Sequence, residues 1–414
     1  PSIFGVVKVI MEQINETQQV QDRLLRAVRN YMTVEDITIG RPNDQYLIRF
    51  RGRLIIDSEE AYQQLEPIFQ KADTTLLFRR DGESHSIIAI PGVIKAQPSN
   101  IAVNLILFAV TLVAVLMAGI EDPSLIETRG WVVGLLLSLP QGIPFAVSLL
   151  AILLAHEFGH YLAARYHKTP VTLPYFIPFP GGILGTMGAF IRLKAPPRNR
   201  RVLLDIGLAG PLAGLAVAIP VLFLGLMLSD VGYLPSGPPS PDETFGITIE
   251  GNSILYLGMK YLAKGELLPA PPSYGDMEPS IYWVRYFFVG SPIPFGGRDI
   301  LLHPIAWAGW AGLLVTALNL IPAGQLDGGH VLFVLFGRKA SKIWPVIVIA
   351  LLGMGFIWTG WFIWAGLIFF LGRTFAQPLD DITELDPRRK RLAIFGLIVF
   401  ILVFTPVPLM TFFG

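Results

Sequence analysis

Five residues, His156-Glu157-Phe158-Gly159-His160, close an apolar run from Phe145 to Ala155 that has the character of a membrane helix. Ionisable side chains at membrane depth are costly, so three within five residues must turn into the interior of a bundle and find partners there. Imidazoles four residues apart share one helical face and can reach one metal ion, with the carboxylate of Glu157 beside them. Zinc accepts nitrogen and carboxylate ligands and, where it is catalytic, keeps an open position. The expectation is a multi-helix membrane protein with His156 and His160 as metal ligands and Glu157 as general base on the attacking water.

Composition supports the membrane reading independently. Of 414 residues, 52% are hydrophobic and only 15% charged, beyond the range of an ordinary soluble domain. The chain has no cysteine, so a metal must be held by His, Asp or Glu. A formal net charge of +1 predicts no nucleic-acid partner. The charged first hundred residues hold no apolar core suited to a signal peptide.

Residues 1–97 read as a cytoplasmic soluble α+β domain. Gln19–Tyr31 has amphipathic helical spacing, Gln45–Arg51 alternates as a half-buried strand, and Asp57 with Glu60 resembles a capping box opening a helix to Gln70. Thr74–Arg79 and Ser84–Ile90 flank an Asp81-Gly82 turn, a hairpin signal, and His85 is read as a surface residue. Residues 98–140 hold a first span, Ile101–Ile120, then an acidic loop and an apolar stretch, Trp131–Leu139, too short to cross. Residues 141–228 carry HEFGH, a glycine-rich re-entrant segment and a span from Val202 to Leu228, and 229–300 form a Pro-rich outer insertion. Residues 301–338 are an apolar stretch interrupted by Asn319–Gly329, and 339–414 comprise Ile343–Leu371, long enough for a hairpin of two short helices or one very tilted helix, and a last span, Arg391–Phe413.

Basic residues cluster in three places: Lys168 to Arg201, Arg338 to Lys342, and Arg388 to Arg391. The positive-inside rule puts these on the cytoplasmic side, and the alternation closes with about seven crossings if Ile343–Leu371 is a hairpin. HEFGH and Asp327 then fall at similar depth, in the inner half of the membrane.

Two imidazoles leave a ligand deficit, and Asp327 leads the candidates for the third. Pro322 removes a backbone donor there, while Gly324, Gly328 and Gly329 loosen the chain. Irregular backbone at membrane depth is tolerated only when buried in protein or lining a wet cavity. A hydrogen-bonded Asp at a simple kink is the alternative. His303 and His330 are rival ligands, the first at the far end of its span, the second one turn beyond Asp327.

HEFGH in one membrane helix, Leu326-Asp327-Gly328 in a later one, and Gly210-Pro211-Leu212-Ala213-Gly214 between them resemble the site-2 protease family of intramembrane zinc metalloproteases. The resemblance covers about Phe145 to Arg338 and extends to the branch of cyanobacteria and chloroplasts. It implies one Zn2+ held by His156, His160 and Asp327, with Glu157 as catalytic base. It also implies that Asn319 binds the substrate carbonyl or the developing oxyanion; alternatively Asn319 bonds backbone freed by the break. The implied partners are the lipid bilayer and the transmembrane segment of a membrane-anchored substrate, cut in regulated intramembrane proteolysis. The implied location is a bacterial plasma membrane or a plastid, thylakoid-type membrane, with the active site nearer the cytoplasmic side. Many members carry a PDZ domain, for which Ser229–Arg298 is too Pro-rich and irregular.

Gly181–Ile191 suits a re-entrant hairpin that accepts an extended peptide by strand addition, or else a loop dipping under the membrane. Gly207, Gly210 and Gly214 have the small-residue spacing of close helix packing. Phe356, Trp358, Trp361, Phe362 and Trp364 suit an interfacial belt. Two competing readings are a prenyl-protein peptidase, which lacks the later LDG string, and a catalytically idle scaffold or transporter retaining a metal site. The intact Glu157 argues against the second.

Overall fold

The computed structural model describes residues 18–41, 44–95, 98–238 and 247–412. Residues 239–246 of the outer insertion and Phe413 of the expected last span lie outside the described residues. The chain divides into two compact units. The first comprises residues up to Pro98 with Leu193–Leu203 and Gln377–Asp386; the second is the remainder.

In the first unit, helix α1 (residues 18–29) leads directly into strand β1 (Met32–Ile39). Periodicity missed β1, because a bulge between Val34 and Asp36 puts Met32 and Val34 out of phase with Ile37 and Ile39. It pairs with β2 (Ile48–Leu54), helix α2 (Ser58–Gln70) follows, and β3 (Thr74–Asp81) and β4 (Ser84–Pro91) form the expected hairpin. The antiparallel sheet has the order β1-β2-β4-β3. Asp57 caps α2 by accepting from the N–H groups of Glu59 and Glu60, as its position before the apolar run demands. Both helices bury their apolar stripes on one sheet face, where Leu24, Val28, Tyr62, Leu65 and Phe69 meet Phe50, Phe78 and Ile87. His85 is half-buried rather than on the surface, and its Nδ1 accepts from the Leu54 N–H.

Strand β3 is the sheet edge, and a bare edge invites wrong pairing. Two distant segments cover it. The Phe78 N–H donates to the Leu379 carbonyl (2.9 Å), and the Asp381 N–H donates back to the Phe78 carbonyl (3.1 Å). The Leu379 and Asp380 N–H groups in turn bond the carbonyls of Pro197 and Arg198. Three arginines at the end of the basic stretch meet acids in this unit: Arg198 with Glu66, Arg200 with Asp381, and Arg201 with Glu59.

The second unit is built on long apolar helices. Among the described residues, three helical stretches are long and apolar enough to cross a membrane: α3 (Ile101–Ala118), a 36-residue stretch that includes α5 and α6, and α7 (Arg200–Leu228). A short α4 (Ser124–Arg129) and α5 (Trp131–Ser138) lead into α6 (Ile143–Tyr166). Helix α3 buries little more than Asn104, Thr111, Ala114 and Val115, and Leu105 stays 62% exposed, as a lipid-facing helix requires. Asn104, buried in this apolar helix, donates to the carbonyls of Leu173 and Pro174, both at 2.9 Å. It thereby holds the strand pair β5 (Tyr175–Pro178) and β6 (Thr186–Phe190) against α3.

The Pro-rich insertion holds β7 (Asp230–Tyr233), β8 (Ile247–Glu250), α8 (Ile254–Lys264), α9 (Pro279–Val289) and β9 (Arg298–Leu301). Strand β9 pairs with β7. Helix α10 (Pro304–Asn319) stops at the expected break and α11 (Asp327–Phe336) restarts after it. The break is buried in protein: Ile321 and Ala323 pack on α12 (Trp344–Gly355) and α13 (Gly360–Leu371), the hairpin that the charge alternation needs. Twelve residues per arm give about 18 Å, short of the bilayer's roughly 30 Å. Trp361 departs from the expected belt; it is buried, stacks on Phe404 and donates to the Pro406 carbonyl. The last helix, α14, runs only from Pro387 to Val403. Pro406 and Pro408 lack the N–H a helix needs, so the chain ends in β10 (Leu409–Phe412), paired with β8.

Asn199, fully buried, accepts from the Val202 N–H at the start of α7 and donates to Glu59. Asn199→Ala removes both bonds, and the first unit should lose about 1–2 kcal/mol. Thermal unfolding of the purified chain checks this, and the wild-type melting temperature is not expected to survive.

Candidate metal centre

Helix α6 carries His156, Glu157 and His160 on successive turns, buried to 4%, 4% and 6% exposure. Asp327 arrives from the other side as the first residue of α11, because the break after Asn319 ends one helix and starts another there. A helix N-terminus favours a negative side chain, and Asp327 occupies that position.

Three atoms converge. His156 Nε2 and His160 Nε2 lie 3.2 Å apart, and Asp327 Oδ2 lies 3.4 and 3.3 Å from them. Bonds of about 2.0–2.1 Å at tetrahedral angles separate ligand atoms by about 3.3–3.4 Å. The triangle therefore has the edges of three corners of a zinc tetrahedron, with the fourth corner left for a reactant. Among the described residues these three are the group of His, Asp and Glu side chains disposed to hold an ion. No ligand geometry is implied for His303 or His330. His303 caps α10 at the end opposite Asn319, its Nδ1 accepting from the Ile305 N–H. His330 faces Gly207 of α7, and its Nδ1 has no hydrogen-bond partner.

The protonation of His160 follows from its neighbour. Nδ1 lies 2.7 Å from the Ile206 carbonyl, which can only accept, so Nδ1 carries the proton and Nε2 keeps its lone pair for a metal. Asn319 Nδ2 is 3.3 Å from His156 Nε2, which brings the expected oxyanion donor to the rim of the triangle. Glu157 has one carboxylate oxygen, Oε2, with no hydrogen-bond partner although it is buried. The backbone N–H of Ile191, directly after β6, reaches the same carboxylate.

Helix α7 makes the pocket wall. A Cβ at Gly210 would sit 2.0 Å from His160 Nε2, and one at Gly214 would sit 3.1 Å from His156 Cβ. The glycine spacing read as helix packing is therefore also the space in which His160 Nε2 stands. At the far end of α6, Asp205 of α7 meets His167 (3.0 Å) and Arg389 of α14 (2.6 Å), which ties three helices together one residue before the Ile206 carbonyl. Sequence reasoning missed the Ile206 carbonyl entirely, because a backbone acceptor leaves no trace in residue type. It also missed Asn104, whose signal was legible as a lone amide in a hydrophobic span.

The sequence profile described as Peptidase family M50 matches residues 144–360. The chain is 33% identical over 276 residues to a protein of Oryza sativa subsp. indica described as "Probable zinc metalloprotease EGY2, chloroplastic"; the match takes in 65% of this chain and 44% of the rice protein. It is 32% identical over 267 residues to the Arabidopsis thaliana "Probable zinc metalloprotease EGY1, chloroplastic", covering 64% of this chain and 43% of that protein. The chain thus spans less than half the length of these relatives. No solved structure matches it.

Gly210→Ala should abolish metal loading, because the added methyl occupies the place of His160 Nε2 and overpacking has no room to relax. Gly366→Ala, where a Cβ meets nothing within 4 Å, should load as wild type does. Metal content per protomer, measured after equilibration with zinc, decides between them; equal loading of the two variants would contradict the geometry.

Proposed function

The chain belongs to peptidase family M50, and from that premise we propose that it is an intramembrane zinc metalloprotease. Its reaction is hydrolysis of a peptide bond in the transmembrane segment of a membrane-anchored substrate, within regulated intramembrane proteolysis. One observation carries the reading: a buried carboxylate with an unpartnered oxygen, Glu157, beside a ligand triangle of tetrahedral dimensions. A scaffold would have no use for it, since a buried polar group without a partner costs stability.

His156, His160 and Asp327 would hold one zinc ion. When bound, zinc supplies the Lewis acidity that makes water nucleophilic near neutral pH and polarises a carbonyl. Glu157 would take the proton of the attacking water and return it to the leaving amine. Asn319 would donate through Nδ2 to the carbonyl oxygen as negative charge develops there, where a dry site strengthens the bond. The Ile206 carbonyl would keep His160 in the ligating tautomer throughout.

A peptide bond in a regular helix is shielded by its own hydrogen bonds, so the substrate must be presented extended. Strand β6 pairs with β5 on one side only, and its end lies beside Glu157 through Ile191. A substrate strand added to that free edge would bring its backbone to the base. The same reading puts the N-terminal unit and the basic clusters on the cytoplasmic side of a bacterial or plastid-type membrane, with about seven crossings if the short α12–α13 pair counts as two.

Glu157→Gln should keep its zinc and lose cleavage by about 10²–10⁴-fold, and Asp327→Asn should lose both. Metal analysis beside cleavage of a membrane-embedded substrate checks the pair; a Glu157→Gln variant that still cuts would remove the proposed base. Orientation is read separately. Ala195→Cys in this thiol-free chain should react with an impermeant maleimide only from the cytoplasmic side, and labelling from the outside would reverse the topology.

A further inference from the structure

The Pro-rich insertion plays no part in the chemistry above, yet it contains the other buried charge cluster of the second unit. Glu250, at the end of β8, and Asp299, in β9, are both buried. Lys260 of α8 lies 3.7 Å from Glu250 Oε1, and the Tyr256 hydroxyl donates to the same oxygen at 2.9 Å. Asp299 Oδ1 accepts only from the neighbouring Ile300 N–H, at 2.8 Å. Of the insertion's other cations, Lys264 bonds the Ser229 carbonyl, Arg298 pairs with Glu266, and Arg285 is exposed on α9. Two carboxyls therefore share one ammonium. Burial, with each charge beside the other, holds Glu250 well above the usual carboxylate range. The Tyr286 hydroxyl, 3% exposed, stands in the field of both carboxyls without a hydrogen-bond partner.

Glu250 and Asp299 both line a cavity of about 560 Å³. Its wall is mostly apolar, with Phe145, Ile183, Ile300 and Trp307 among its members; the third acid is Glu121, and among the described residues no Lys, Arg or His lines it. The position is informative. Phe145 lies at the start of α6, eleven residues or about 16 Å along the helix from His156. Ile183 belongs to the loop of the β5–β6 hairpin, eight residues from Ile191 beside Glu157, at most about 26 Å of extended chain.

We propose that this cavity is an exosite for the outer flank of the substrate, selecting an apolar segment that carries one basic side chain. The proposal rests on the proteolytic reading above. A Lys or Arg entering the cavity supplies the missing cation to Asp299 and Glu250 while its stem and neighbours cover the apolar wall. The remainder of the segment runs along β6 to Glu157. At about 3.3 Å per residue, the basic residue sits roughly five to eight residues from the scissile bond.

The test uses the full chain in nanodiscs and two fluorescent alanine–leucine peptides that differ only in one lysine or its uncharged isostere norleucine, read by anisotropy. The lysine peptide should bind wild type at least about tenfold more tightly. Asp299→Asn should bring that ratio close to one. Ile183→Lys, at a wall position 55% exposed where folding is not at stake, should do the same by repulsion. Equal affinities in wild type, or a ratio that survives both substitutions, would overturn the exosite. Glu157→Gln should keep the ratio, since binding needs no base. Loss of the ratio with cleavage intact counts against the exosite alone, whereas a retained ratio in a wild-type chain that cuts nothing counts against the protease reading alone.

Discussion

Every polar group that enters this hydrocarbon-facing bundle has to be answered by another, and the convergence of His156, His160 and Asp327 is where that demand is sharpest. Hydrocarbon cannot satisfy a stray imidazole at membrane depth. The bundle must therefore bring a carboxylate from a helix more than 160 residues away to within about 3.4 Å of two ring nitrogens. The broken α10–α11 helix, the glycine face of α7 and the burial of the break against α12 and α13 all serve that one approach. Asp327 gains further from opening a helix, where the dipole favours its charge.

The support of the triangle is as specific as the triangle. His160 is oriented by a backbone carbonyl of α7, and the same helix withdraws its side chains at Gly210 and Gly214 to let the rings stand there. Asp205, next to that carbonyl, is gripped by His167 and Arg389, so the register of α7 against α6 is set by charge at one end and by glycine contact at the other. A helix surface of this kind has little freedom to slide, which suits a site whose ligand atoms tolerate only a few tenths of an ångström.

Away from the site, the two units solve different problems. The N-terminal sheet protects its β3 edge with segments that immediately precede α7 and α14, so residues remote in sequence complete one small core. The insertion, irregular in sequence, acquires order by pairing β8 with the C-terminal strand β10 and β7 with β9. Two of its buried acids, Glu250 and Asp299, line a cavity there.

Local pattern announced the long apolar helices, the HEFGH face, the break around Pro322 and the β3–β4 hairpin, because each depends on periodicity, a missing N–H or a turn glycine within a few residues; it missed α4, α8 and α9. The same reasoning overextended the last span to Phe413 and put Trp361 in an interfacial belt, since hydrophobicity alone does not distinguish lipid contact from protein contact. Strand β1 and the edge-covering role of 377–386 went unseen, the first because a bulge between Val34 and Asp36 breaks its alternation, the second because it has none. The residue types in the chain thus determined which side chains were available to bind a metal and act on water. Only the tertiary structure decided that they meet, that Ile206 orients one of them, and that Gly210 clears the space. Ligand distance, tautomer and void are relations between segments far apart in the chain, and no local stretch of sequence encodes them.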